Sequence, residues 1–189
     1  MKTRTTRTLV SLALLCAMEI ILARFCMIWI TSSIKITFEA IPILLAGLLF
    51  GPVAGGLVGA ASDILGAAFL SGLGWMPPLT VTPLLLGVLS GLLRPLFLKN
   101  PTLPRLFLVT FPGFILGSML WTTGWLSALY STPLPALLMV RVPLYCVIGA
   151  LDTIAVYGLC RSGAFQRTGL WPAAFQFHSS PAEKEESSL

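Results

Sequence analysis

Residues 40–70 read AIPILLAGLLFGPVAGGLVGAASDILGAAFL, and Asp63 is the one ionisable side chain in this stretch. A single helix of this length would extend roughly 45 Å at about 1.5 Å per residue, which exceeds the ~30 Å hydrocarbon core of a bilayer. Gly51 and Pro52 stand in its middle, and such a pair is typical of a helix break. The stretch therefore predicts two membrane spans joined by a tight turn.

The whole chain has the composition of a membrane protein. Of its 189 residues, 56% are hydrophobic and only 10% are charged, whereas a soluble domain carries about 25% charged residues. Its mean hydropathy is +0.91. The length suits about six spans of ~20 residues with short connections and leaves no room for a soluble catalytic domain. The predicted fold class is an all-α integral membrane protein, a bundle of six transmembrane helices.

Basic residues are grouped at three places in the chain, and such groups in short loops mark the cytoplasmic side of a membrane. The groups are Lys2, Arg4 and Arg7, then Arg94, Lys99 and Arg105, then Arg161 and Arg167. If residues 40–70 form two spans, four spans separate the first two groups, and both lie in the cytoplasm. A single span would leave one group outside. The charge pattern therefore favours the split and predicts that both the N-terminus and the C-terminus are cytoplasmic.

The remaining spans follow the other apolar runs. We expect them at residues 8–23, 79–93 and 106–130, and from the turn at residues 131–135 to about Cys160. Arg94-Pro95 marks the expected end of the fourth span. Together the spans predict one transmembrane domain, residues 1–165. The polar residues 166–189 predict a partly disordered cytoplasmic tail.

The segment after the first span has a different pattern. In residues 31–39, Ile34, Ile36 and Phe38 alternate with polar residues. A period of two is typical of an extended, half-buried segment and not of a helix. We therefore expect a non-helical segment before the second span.

Four ionisable residues fall inside the apolar runs: Glu19, Asp63, Arg141 and Asp152. Each charge at mid-bilayer costs about 2.5–3.5 kcal/mol on insertion scales, so such residues pair with one another or line a water-filled cavity. The predicted topology places the first three in the outer half of the membrane, beside Arg24, Lys35 and Glu39. Asp152 falls in the inner half. Two alternatives remain open: a structural ion-pair network, with Glu19 or Asp63 on Arg141, and a polar cavity open to the outside.

Aromatic residues are concentrated at the outer ends of the same spans. They are Trp75, Trp121, Trp125 and Tyr130. Each alone is explained by the belt of aromatic side chains at a membrane interface. Together with the mixed charges, they favour a flat, heteroaromatic, charged ligand.

The sequence lacks the usual arrangements for catalysis. The one histidine, His178, lies in the tail, and no histidine pair, Ser-His arrangement or ATP-binding motif is present. We therefore expect no enzymatic activity, no cofactor and no bound metal. Small residues instead predict close helix packing, at Gly55, Gly56, Gly59 and Gly66 in the third span and at the Ala13/Ala17 pair in the first.

Read together, these residues resemble the substrate-binding S components of energy-coupling factor (ECF) vitamin transporters, most closely the folate type. The matching stretches are AMEIILARF (17–25), IKITFEAIP (34–42), GLLFGPVAGGLVGAASD (47–63), and more weakly WLSALY (125–130) and Arg141. The resemblance covers about residues 9–155.

The resemblance implies partners and a ligand site. It implies that the Ala13/Ala17 face meets a transmembrane coupling subunit, that two cytoplasmic ATPases supply the energy, and that the protein lies in a bacterial cell membrane. Loops after spans one, three and five would cover the ligand. The expected binding residues are Arg24, Glu39, Asp63, Trp75, Thr80, Trp121, Trp125, Arg141 and Tyr145.

The chemistry of folate suits these residues. A pterin ring offers a flat face for Trp or Tyr, and its N–H donors suit a carboxylate such as Asp63 or Glu39. The glutamate tail is a dianion that Arg24 or Arg141 could bind through two parallel hydrogen bonds.

The chain also departs from the folate type near the expected pocket. It has WMPPLT (75–80) where an aromatic-Pro-Gly-Phe-Thr loop is usual, and Pro143-Leu-Tyr145 where a basic or amide residue is usual. Two alternatives therefore stay open. One is an S component for another vitamin or small heterocycle, and the other is a structural membrane protein of the cell envelope without a ligand.

Overall fold

The protein is a bundle of helices with one short β-hairpin. The computed structural model describes residues 2–26, 28–31, 34–70, 76–99, 101–130 and 133–162. Its elements are α1 (Lys2–Arg24), β1 (Ile28–Thr31), β2 (Ile34–Ile36), α2 (Ala40–Phe50), α3 (Pro52–Leu70), α4 (Pro77–Lys99), α5 (Leu103–Gly113), a π-helix (Phe114–Thr122), α6 (Thr123–Tyr130) and α7 (Leu134–Arg161). The predicted tail, residues 166–189, lies outside the described residues.

The predicted break between the second and third spans is confirmed. α2 ends at Phe50 and α3 begins at Pro52, with Gly51 between them at φ 101° and ψ −179°. Only glycine adopts this backbone conformation without strain, because a Cβ atom would collide with the neighbouring peptide groups. The Gly51 N–H donates to the carbonyl of Gly47 at 3.0 Å, so the last turn of α2 stays closed while the chain reverses.

Replacing Gly51 with alanine is expected to destabilise the protein by about 1–3 kcal/mol, because alanine is strained at this φ. The change is measured as a lower unfolding temperature of the purified protein in detergent. Gly124→Ala is the matched control, since a Cβ at that helical position would meet no atom within 4 Å. Equal unfolding temperatures for the two variants would contradict the prediction.

α2 differs from the other helices in length and position. Five helical segments of the described chain are long and apolar enough to cross a membrane: Thr6–Arg24, Pro52–Phe69, Pro77–Lys99, Leu103–Leu129 and Leu134–Arg161. α2 has 11 residues and extends only about 16 Å. All of its residues except Phe50 are buried, by contacts with α1, α3, α4 and α7. It is therefore the central helix of the bundle.

The predicted role of the glycines in α3 is confirmed for the contact with α4. A Cβ atom added at Gly55 would lie 2.5 Å from the carbonyl oxygen of Gly87, and one added at Gly59 would lie 2.7 Å from the carbonyl carbon of Pro83. The two backbones thus touch, as small residues allow in membrane helices. Gly66 has a different role, because its Cα faces the Arg24 guanidinium instead of another backbone.

The fourth helix extends further than predicted. The expectation that it ends at Arg94-Pro95 is wrong, because α4 continues through Pro95 to Lys99. Pro95 cannot donate to the carbonyl of Gly91, which ordinarily weakens a helix. The continuation has a packing reason: Phe97 is 1% exposed and belongs to the hydrophobic core.

The expected extended segment before α2 is confirmed in part. Residues 34–36 form β2, which pairs antiparallel with β1 so that Ile28 faces Ile36 and Trp29 faces Lys35. Thr37 and Phe38 continue without helical structure to Glu39, the residue that precedes α2.

Candidate ligand cavity

A cavity opens into the bundle at the end where α1 finishes and α2 starts, which we term the distal end. Its volume is about 290 Å³, close to the lower limit of ~300–1,000 Å³ for small-molecule pockets. The ionisable and aromatic residues on its wall are Glu19, Arg24, Glu39, Asp63, Phe114, Arg141, Tyr145 and Asp152. They come from α1, α3, the π-helix, α7 and the turn before α2, so the cavity exists only in the assembled bundle.

The charged groups on the wall do not form close ion pairs with one another in the described part of the chain. No salt bridge joins any two of them among the described residues. Nε of Arg24 and Nη1 of Arg141 are buried and have no hydrogen-bond partner in the described part of the chain. The alternative of a structural ion pair between Arg141 and Glu19 or Asp63 is therefore not what the structure has. Two guanidinium groups remain available for an anion.

One face of α7 provides a row of these side chains. Arg141, Tyr145, Ile148 and Asp152 follow one another at intervals of four, three and four residues, and all line the cavity. Such spacing places them on one side of a helix. The Arg141 guanidinium carbon lies 5.8 Å from the centre of the Tyr145 ring, in cation–π range. Arg141 and Asp152 are about 16 Å apart along the helix axis.

Asp63 is held in place by Thr80. The Thr80 hydroxyl donates to Oδ2 of Asp63 at 2.6 Å and connects α3 to α4. Thr80 itself is buried and does not line the cavity, so the structure places it behind Asp63. Glu39 is half-buried at the start of α2, and its side chain makes no hydrogen bond that caps the helix.

The structure does not bring the predicted tryptophans to the cavity. Trp121 and Trp125 are 44% and 42% exposed and line a separate, mainly apolar depression beside α4. The Trp121 indole N–H donates to the carbonyl of Pro78 at 2.7 Å. Because Thr122 and Leu126 face the cavity, the residues immediately before them point to a different side of the helix. Trp75 lies outside the described residues.

Sequence reasoning missed the π-helix that forms one wall. Phe114, Ser118 and Thr122 all line the cavity from this segment. The hydroxyls of Thr122 and Thr123 donate to the carbonyls of Gly117 and Ser118, five residues earlier, at 3.1 and 3.2 Å. No periodicity in the sequence indicates this wider helix, although π-helical turns are frequent at functional sites.

Two buried carboxyl groups on the wall were not among the expected binding residues. Glu19 is 5% exposed. Asp152 is fully buried. The signal for Asp152 was present in the sequence, because it stands eleven residues, or three helical turns, after Arg141.

The chain belongs to the family of ECF transporter substrate-specific components, whose sequence profile matches residues 7–160. The resemblance seen in the sequence is thereby confirmed. Among individual proteins, the chain is 27% identical over 150 residues to the folate transporter FolT of Clostridium novyi (strain NT), a match that covers 79% of this chain and 86% of that one.

Solved structures of two S components have the same fold. A crystal structure of FolT bound with folic acid superimposes with a TM-score of 0.69 at 28% identity, over 79% of this chain and 89% of that one. The S component for biotin from an ECF-type ABC transporter superimposes with a TM-score of 0.67 over 88% of this chain and 97% of that one. The sequence identity of this match is 23%, so it supports a shared fold and carries no conclusion about the ligand.

Proposed function

We propose that the protein captures folate, or a related vitamin, in the distal cavity from outside a bacterial cell membrane. The observation that carries this proposal is that Arg24 and Arg141 each have one buried guanidinium nitrogen without a hydrogen-bond partner among the described residues, in a cavity that also holds carboxyl groups. Folate combines a dianionic glutamate tail with a pterin ring that bears N–H donors. The similarity to FolT supports folate over other vitamins.

Each part of folate has a matching surface on the cavity wall. The arginines suit the glutamate carboxylates, because a guanidinium binds a carboxylate through two parallel hydrogen bonds. Phe114 and Tyr145 offer aromatic faces for the rings of the ligand. These two residues take the stacking role that the sequence suggested for tryptophan.

The proposed topology has six passes, with both termini in the cytoplasm and the distal end outside. α2 crosses as the second pass, and residues 37–39 lead into it from the distal end. The short α2 crosses within protein, because its neighbours and not lipid surround it. Residues 1–165 form the substrate-binding domain in this proposal.

The protein would deliver its ligand only with partners, because it carries no ATP-binding motif. We propose that Ala13 and Ala17 on α1 contact the transmembrane coupling subunit, which two ATPases drive. Both alanines are exposed on the bundle. Two small residues four apart allow a second helix to approach closely.

One experiment tests both halves of the proposal. The purified protein is expected to bind folate saturably in isothermal titration calorimetry. The double variant Ala13→Leu, Ala17→Leu is expected to bind folate equally well, because α1 presents this face away from the cavity. Folate uptake by cells that also produce the coupling subunit and both ATPases is expected to fall at least about tenfold, since leucine blocks close helix approach.

Ala61→Leu serves as the matched control, because Ala61 is an exposed alanine on α3 and lies outside both proposed surfaces. It should leave binding and uptake unchanged. Absence of folate binding would refute the proposed ligand. Normal uptake by the double variant would refute the proposed partner surface alone.

A further inference from the structure

Asp152 is the ionisable group on the cavity wall that most clearly lacks a partner. Its side chain is 0% exposed, and neither Oδ1 nor Oδ2 has a hydrogen-bond partner among the described residues. A buried carboxyl group without partners is strongly unfavourable unless something else supplies them. Asp152 is also one of the residues that line the cavity, so its side chain lies next to the space open to a ligand.

The other carboxyl groups of the cavity are in different situations. Asp63 already accepts the Thr80 hydroxyl at 2.6 Å, and neither oxygen of Glu19 is among the buried atoms that lack a hydrogen-bond partner. Glu39 is only half-buried. Asp152 alone among the four combines complete burial with two unpartnered oxygens in the described structure.

The apolar walls of the cavity that Asp152 lines suit a flat ring. Ile148 stands one helical turn before it, and Ile43, Leu86 and Phe114 line the same cavity; each of these four side chains is at most 5% exposed. Apolar walls exclude water and so strengthen hydrogen bonds made to a carboxylate between them. The arrangement selects a heterocycle that presents hydrogen-bond donors at its edge.

We propose that the Asp152 carboxylate binds the two-donor edge of the ligand's heterocycle through two parallel hydrogen bonds. The donors are an exocyclic amino group and the neighbouring ring N–H, which in the pterin of folate are the 2-amino group and N3–H. The inference rests on the proposed function and deepens it. Arg141, about 16 Å along α7 towards the distal end, then meets the carboxylate-bearing tail of the same elongated molecule.

The test compares two ligands in three proteins by isothermal titration calorimetry on the full chain in detergent. The ligands are folate and its 2-desamino analogue, which lacks the exocyclic amino group. The proteins are the wild type, Asp152→Asn and Asp63→Asn. We expect the wild type to prefer folate by roughly 100-fold, because the analogue leaves a buried carboxylate oxygen unpaired.

Asp152→Asn keeps the shape of the side chain but replaces one acceptor with an NH₂ donor. We expect it to bind folate roughly 100-fold more weakly than the wild type and to discriminate between the two ligands by less than about threefold. A merely structural role for Asp152 would weaken both ligands equally. If Asp152→Asn does not fold, Asp152→Ser is measured in its place. The preference of the wild type for folate over the analogue needs no variant and can be measured in either case.

The outcomes separate the two proposals. Folate binding with no preference over the analogue, or a preference that survives in Asp152→Asn, overturns the role of Asp152 and leaves the proposed function intact. If the preference for folate over the analogue is lost in Asp63→Asn instead, Asp63 binds the donor edge. That result also overturns the proposed role of Asp152. A wild type that binds no folate refutes the proposed function, and the inference falls with it.

Discussion

Arg141→Ala is expected to lower the affinity for folate by about 100-fold or more, since removing one partner of a buried charge-assisted pair typically costs 2–5 kcal/mol. Nη1 of Arg141 is buried and unpartnered among the described residues, so it is available to a ligand carboxylate. The cation–π contact with Tyr145, 5.8 Å from the ring centre, favours one direction of the Arg141 guanidinium before a ligand arrives. Calorimetry on the purified variant measures the loss directly.

A ligand control separates a lost contact from a damaged cavity. An analogue of folate with both glutamate carboxylates converted to amides should bind the wild type and Arg141→Ala with nearly equal affinity. Arg161→Ala is the matched protein control, because Arg161 is exposed at the far end of α7. Equal folate affinity in Arg141→Ala and the wild type would show that the tail binds elsewhere.

Gly87→Leu is expected to prevent the bundle from folding. A Cβ atom at Gly87 would overlap the carbonyl group of Gly55 and lie 2.9 Å from the backbone nitrogen of Gly56. A flexible side chain could move aside, but these are backbone atoms of the adjoining helix α3. We therefore expect a loss of more than about 4 kcal/mol, in the range that marks exceptional core mutations.

Size-exclusion chromatography and thermal unfolding in detergent measure this loss. The matched control is Gly158→Leu on α7, where an added Cβ would meet no atom within 4 Å. The control should elute and unfold like the wild type. A monodisperse Gly87→Leu protein with an unchanged unfolding temperature would mean that α3 and α4 do not touch through their backbones.

The helices were largely predictable because hydrophobic length and glycine chemistry are local properties. The break at Gly51-Pro52 follows from the length of residues 40–70, and the structure confirms it. The end of α4 was not predictable in this way. Proline is a signal in the local sequence, whereas the burial of Phe97 depends on tertiary packing. In α4 the packing of Phe97 outweighs the tendency of Pro95 to end the helix.

The cavity was predictable in its charges but not in its walls. Arg24, Glu39, Asp63, Arg141 and Tyr145 line it as expected. Trp121 and Trp125 do not, because the direction of a side chain depends on the rotation of its helix, and a π-helix changes that rotation. Asp152 was not expected in the cavity, because the predicted topology places it deeper in the membrane than Arg141. The spacing of the two residues nevertheless places both on one face of α7.

The enclosure of α2 has a consequence for how this sequence can drift over evolutionary time. Exposed positions of α7, such as Val147, Leu151 and Ile154, require only an apolar side chain, since no other helix of the described bundle encloses them. Ile43, Leu44 and Leu45 are almost completely enclosed by other helices, where a change of one methylene group alters packing. The exposed apolar positions and the enclosed residues of α2 are thus under different selection. The first are selected for hydrophobicity and the second for shape.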